Sequence, residues 1–164
     1  MESLHYSDAQ ILGILHSVET IAMVGASAKW NRPSYFAMKY LQAKGYRVIP
    51  VNPGLAGQTL LGETAYASLS AIPETFEMVD IFRAADSVGP LVEEAIALKA
   101  ARGIEVIWMQ LGVINHEAAA RAESAGLKVV MDRCPKIEFG RLHQELSWGG
   151  FDSGVITAKR RKLG

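Results

Sequence analysis

The stretch Thr20–Leu41, TIAMVGASAKWNRPSYFAMKYL, decides the fold, because it holds an apolar run, a small-residue turn and a helix start in that order. TIAMV lacks polar alternation, as a strand covered on both faces would. Gly25, Ala26 and Ser27 are small enough for a tight turn. Pro33 suits a first helical position, where a missing N–H costs nothing, and Gly45 stops the helical pattern that follows. Strand, turn and helix in this order make the first half of a βαβ unit.

The same punctuation recurs outward from there. YRVIPV, MVDIF, IEVIWM and LKVVM are further short apolar runs rich in β-branched residues. Pro90 and Gly103 bracket the helical pattern LVEEAIALKAAR, Asn115 can cap HEAAARAES before Gly126, and Pro135 can open a last helix through Leu146. Upstream, Ser7 and Gln10 form a capping box that starts an amphipathic helix through Ser17. Between Asn52 and Pro73 glycines and prolines interrupt every period, leaving at most one helical turn at AYASLS. The pattern predicts an α/β fold: a three-layer, Rossmann-like, doubly wound sheet of five parallel strands, order 3-2-1-4-5, with an extra N-terminal helix.

The totals bound the partners. With 164 residues the chain is expected to form one domain over 1–146, followed by a glycine-rich, then basic, flexible tail over 147–164. Seventeen basic and seventeen acidic side chains cancel, which argues against a generic nucleic-acid or membrane binder and leaves a small molecule as the expected ligand. No apolar run approaches the roughly 18–20 residues of a membrane span, and the N-terminus lacks a signal pattern. One cysteine, Cys134, cannot make an internal disulfide, in keeping with a cytoplasmic protein.

In a right-handed βαβ unit the first turn sits at the carboxyl edge of the sheet, facing the amino end of the next helix, and this arrangement favours phosphate. The glycine fingerprint of nicotinamide-binding proteins would need glycine at Ser27 and Trp30. It would also need a carboxylate at the end of the second strand, which instead reads IPVNPG. Lys29 and Arg32 flank the turn and suit a ligand richer in phosphate, an NADP or a coenzyme A. The plainer alternative is that these two cations solvate a loop and Gly25 serves tight packing.

Five ordered motifs then carry a resemblance: VGAS and RPS at 24–27 and 32–34, GYRVIPVNP at 45–53, VDIFR at 79–83, WMQLG at 108–112 and MDRCP at 131–135. From Ser7 to Leu146 the chain resembles the small stand-alone CoA-binding proteins, whose domain is similar to the N-terminal domain of the succinyl-CoA synthetase α subunit. The resemblance implies that Gly25, Ala26 and Ser27 lie against the pyrophosphate, with Lys29 and Arg32 near the 3′-phosphate. It places Val51, Asn52 and Pro53 beside the adenosine. Phe82, Arg83, Ala84 and Val88 would flank the nucleotide or the start of the pantetheine, and Gln110, Leu111 and Gly112 the thiol arm. The ligase resembled also needs a second domain with a phosphorylated histidine and a partner subunit, for which this chain is too short. The implied function is therefore binding of CoA or an acyl-CoA without catalysis. Its alternatives are an NADP-dependent oxidoreductase, or a regulatory protein whose partner surface responds to CoA through a mobile 52–73 loop.

No catalytic or metal-binding constellation emerges from spacing. Cys134 follows the fifth strand and could form a mixed disulfide with CoA, though lone cysteines are usually small buried hydrophobes. His5, His16, His116 and His143 read as surface or capping residues, Trp108 as core, and Asp132 as an ion-paired loop acid.

Overall fold

The computed structural model describes residues 5–148. Helix α1 (Asp8–Ser17) leads into β1 (Thr20–Val24), α2 (Pro33–Ala43) and β2 (Arg47–Val51). A hairpin of β3 (Thr59–Leu60) and β4 (Glu63–Thr64) follows, then β5 (Met78–Ile81), α3 (Val88–Arg102), β6 (Val106–Met109), α4 (His116–Ser124), β7 (Lys128–Val130) and α5 (Pro135–Trp148). Each of the five predicted strands forms, and all lie in one parallel sheet.

Local chemistry starts and stops these elements. Ser7 Oγ accepts from the Gln10 N–H while Gln10 Oε1 accepts from the Ser7 N–H, so both halves of the α1 capping box are made. Asn115 caps α4 by accepting from the Ala118 N–H. Helix α3 begins at Val88, two residues before the proline expected to open it, continuing from a 3-10 turn over Ala85–Ser87. Its end is a left-handed glycine, Gly103, whose N–H bonds to Lys99 O.

Alternation along the strands sorts the core into two layers. Ala22, Val24, Ile49, Val79, Ile81 and Ile107 pack with Val92 and Ala95 of α3 and Ala118 and Ala122 of α4. Ile21, Met23, Val48, Met78, Val106 and Trp108 pack with residues of α1, α2 and α5. Helices thus cover both faces, which is why the strands read as unbroken apolar runs. Trp108 is fully buried, its indole N–H donating to Arg133 O, as expected of a core residue.

The strand order differs from the expected 3-2-1-4-5. It is β2-β1-β5-β6-β7, so the third long strand pairs with the first and not with the second. The reason lies in the helix-free connection after β2. Tyr66 N–H bonds to Pro50 O, Asn52 N–H bonds to Tyr66 O, and Val51 and Tyr66 form a bridge, so this segment occupies the outer edge of β2. With that slot taken, the chain returns to the free side of β1. AYASLS forms no helix, within the expected limit of one turn. It ends in a turn where Ala71 N–H bonds to Ser68 O and Ile72 N–H to Leu69 O, and a 3-10 turn at Pro53–Leu55, capped by Asn52, opens the connection. Of the predicted tail, residues 147 and 148 close α5, and the rest lies outside the described residues.

Candidate ligand-binding cleft

In this order the chain leaves β1 toward α2 on one face and leaves β5 toward α3 on the other. Neighbouring strands whose connections diverge open a crevice at their carboxyl ends, where open α/β sheets bind ligands. A cleft of about 620 Å³ lies there, lined by the loops that follow β1, β2, β5 and β6.

Gly25 shapes its floor. Its φ is +88°, and a Cβ built on it would fall 2.3 Å from Phe82 O and 2.9 Å from Phe82 C. The glycine lets the backbone after β5 come against the backbone after β1. Gly25 N–H donates to Val51 O at 2.9 Å and Phe82 N–H to Val24 O at 2.8 Å. Asn52 Oδ1 accepts from Gly54 N–H at 2.9 Å while its Nδ2 donates to Ala26 O at 2.8 Å, tying the second loop to the first. Ser27 Oγ accepts from Lys29 N–H at 3.1 Å and holds the turn.

The lining is cationic. Lys29, Arg32 and Arg83 contribute to it and are exposed, and among the described residues no carboxylate lines it. Pro33 and Ser34, the first residues of α2, also line it, and the N-cap Arg32 makes no side-chain cap, leaving the positive end of the helix dipole open to the cleft. Deeper in, Gln110 is 8% exposed, and Asp80 on β5 is 0% exposed. Among the described residues neither Gln110 Oε1 nor either Asp80 carboxylate oxygen has a hydrogen-bond partner. Burial pushes the Asp80 carboxyl well above the usual carboxylate range.

Of the residues singled out by sequence, the cleft gathers Gly25, Ala26, Ser27, Lys29 and Arg32 from the first loop and Asn52 from the second. It also gathers Phe82 and Arg83 from the third loop and Gln110 and Leu111 from the fourth. Val51, Pro53, Ala84, Val88 and Gly112 are not brought to it. Val51 and Val88 face the α3 side of the core, at 2% and 0% exposure. Pro53 opens the 3-10 turn and points to solvent, and Ala84 precedes the next such turn. Gly112, at φ +81°, donates its N–H to Asp132 Oδ1 at 2.8 Å, so Asp132 braces the fourth loop.

Sequence reasoning missed Pro33, Ser34, Val113 and the buried Asp80. The first two stood in a quoted motif, and a carboxylate inside the apolar run MVDIF was a visible signal; Val113 gave none.

The remaining candidates sit elsewhere. Cys134 is buried at the start of α5 and does not line the cleft. His143 is also buried, against the expectation of a surface or capping residue: its ring stacks on Phe139, Nδ1 donates to Phe139 O at 2.8 Å, and Nε2 lies 3.3 Å from His16 Nε2 on α1. His116 is exposed at the start of α4. Among the described residues no group of three or more His, Cys, Asp or Glu side chains could hold a metal, and no helix is long and apolar enough to cross a membrane.

Comparison with known proteins gives a family and the same fold. A family described as CoA binding domain matches residues 19–140. An uncharacterized protein of Bacillus subtilis (strain 168), YneT, is 35% identical over 131 residues, covering 80% of this chain and 93% of its own. Among solved structures, a hypothetical protein from Pyrococcus horikoshii OT3 is 38% identical with a TM-score of 0.77, over 87% of this chain and 99% of that one. A Thermus thermophilus protein is 35% identical with a TM-score of 0.78, over 84% and 99%.

Proposed function

Since the chain belongs to the CoA binding domain family, we propose that the cleft between β1 and β5 holds coenzyme A or an acyl-CoA. The observation that carries this reading is the cationic lining at the topological switch point: Lys29, Arg32 and Arg83 beside the amino end of α2, with no carboxylate among the described lining residues. Such a rim suits a ligand with a pyrophosphate and a further phosphate.

In this reading the Ala26–Ser27 turn and the first turn of α2 receive the pyrophosphate, and Lys29 and Arg32 the 3′-phosphate. Asn52 and Phe82 border the nucleotide, with Arg83 beside them. Gln110 and Leu111 border the thiol arm. The role is binding. Among the described residues the hydroxyl side chains of the lining are Ser27 and Ser34, and no histidine, cysteine or carboxylate of those residues lines the cleft to activate either of them as a nucleophile.

Calorimetry with CoA, dephospho-CoA, NADP and NAD tests the reading. CoA is expected to bind tightest. Loss of the 3′-phosphate removes charge-assisted contacts to exposed cations, for about a tenfold loss of affinity. Preferential binding of NADP, with no heat from CoA, would overturn it. Mass spectrometry of the gently purified protein would name any small molecule it retains.

A further inference from the structure

Among the described residues, the buried side-chain oxygens without a hydrogen-bond partner are Asp80 Oδ1, Asp80 Oδ2 and Gln110 Oε1. They share one face of the sheet. Asp80 lies opposite Trp108 in the β5–β6 register, and Gln110 follows Trp108 by two residues, its N–H bonded to Ile81 O. Alternate strand residues point the same way, so both side chains face the layer that holds α2 and α5, Gln110 one step nearer the cleft. Parallel strands lie about 4.8 Å apart and two residues advance about 6.6 Å, so these diagonal positions are about 8 Å apart, a gap that a glutamine side chain reaching toward an aspartate can close.

A buried ionised carboxylate with no donor would be among the costliest groups a core can hold. A neutral carboxylic acid carries no charge, and its O–H is a donor. A donor is what Gln110 Oε1 lacks. The amide nitrogen of Gln110 is not among the buried unpartnered atoms, and the residue lines the cleft.

We propose that Asp80 stands as a neutral acid whose O–H donates to Gln110 Oε1, directly or across one buried water, so that the Gln110 amide turns its NH2 group toward the ligand. Asp80 is then a positioning residue that never touches the ligand. The end of the cleft bordered by Gln110 selects a group with an acceptor oxygen over one that only donates. The desolvation that raises Asp80 acts in the same direction. The ligand half of this inference rests on the CoA reading above; the Asp80–Gln110 hydrogen bond does not.

Difference infrared spectroscopy of the unliganded protein, wild type minus Asp80→Asn, tests the hydrogen bond without any ligand. A protonated-carboxyl C=O band that shifts in Gln110→Leu is expected. A carboxylate band alone, or a carboxyl band indifferent to Gln110→Leu, overturns the bond.

Calorimetry with CoA tests the positioning. Asp80→Leu, checked for an intact melting transition, removes the donor and is expected to weaken CoA by about tenfold, the size of one hydrogen bond. Asp80→Asn keeps an N–H donor for Oε1 and is expected to restore most of that loss. Equal affinity in wild type and Asp80→Leu refutes the positioning role while leaving the CoA reading intact. A wild type that binds no CoA refutes the CoA reading and the ligand half of this inference together, and the infrared band alone still decides the hydrogen bond.

Discussion

Replacing Gly25 by alanine should both destabilise the domain and damage the cleft, and the size of the effect follows from the backbone. At φ +88° an alanine pays the left-handed penalty, about 1–2 kcal/mol. Its Cβ would meet Phe82 O at 2.3 Å and Arg83 Cδ at 3.0 Å. An ordinary contact lies at about 3.5 Å, so the two backbones must separate by about 1 Å. Neither yields freely, because Phe82 N–H is bonded to Val24 O and Gly25 N–H to Val51 O. Overpacking of this kind adds about 1–3 kcal/mol, for a total of about 2–5 kcal/mol against a typical stability of about 5–15 kcal/mol. Urea unfolding followed by circular dichroism reads the difference directly, and the midpoint of thermal unfolding should fall by roughly 5–20 °C. Gly13→Ala is the control. Gly13 lies inside α1 with nothing within 4 Å of its Cβ position, so the alanine should stabilise by about 0.5–1 kcal/mol. A Gly25→Ala cost below about 1 kcal/mol would refute the claim that the first and third loops meet backbone to backbone.

The buried Asp80 holds its proton more tightly folded than unfolded, so unfolding releases that proton and stability falls as pH rises above the unfolded value near 4. Wild type should lose up to about 1.4 kcal/mol per pH unit relative to Asp80→Asn until the folded group titrates; a constant difference between the two from about pH 5 to about pH 7 refutes this. His143 shows the opposite sign: burial lowers it, outweighing the Phe139 hydrogen bond that raises it, with Lys44 lowering it further. The stability it contributes is therefore complete above about 6.5 and is lost as pH falls through its folded value, and His143→Gln should flatten the acid side of a urea-unfolding profile. Ser7→Ala removes one half of the α1 capping box and should cost about 1 kcal/mol by the same assay, whereas Ser7→Asp should be near neutral.

Apolar runs and their punctuation were enough to find all five parallel strands and the helices between them, since burial on both faces writes itself directly into residue type. Strand order left no such mark. Orders 3-2-1-4-5 and 2-1-3-4-5 share the same alternation of strand and helix, and the choice turned on Tyr66, one residue of an irregular segment bridged to Val51. The cleft was legible as a set of strand ends because every loop at the carboxyl edge of a parallel sheet reaches the same rim. Which side chain of each loop faces the rim was not, because a strand of period two carries its last residue to one face or the other. Asn52 reaches the cleft where Val51 cannot, and Phe82 where Ile81 cannot.

The contacts that make the cleft are contacts of the fold itself. Gly25 to Val51, Asn52 to Ala26, Phe82 to Val24 and Gln110 to Ile81 are all closed among the protein's own groups. The loops are therefore held in place without a ligand, and under the CoA reading proposed above most of the ordering on binding would fall on the long side chains of Lys29, Arg32 and Arg83, which are exposed. A fixed floor beneath exposed cations divides the work: under the CoA reading proposed above, the main chain would set where a phosphate sits, and the cations, screened by salt at the surface, how strongly it is held. Asp80 belongs to neither group. It lies under the floor, and packing alone does not explain its burial: an apolar side chain would serve the packing of β5 at lower cost.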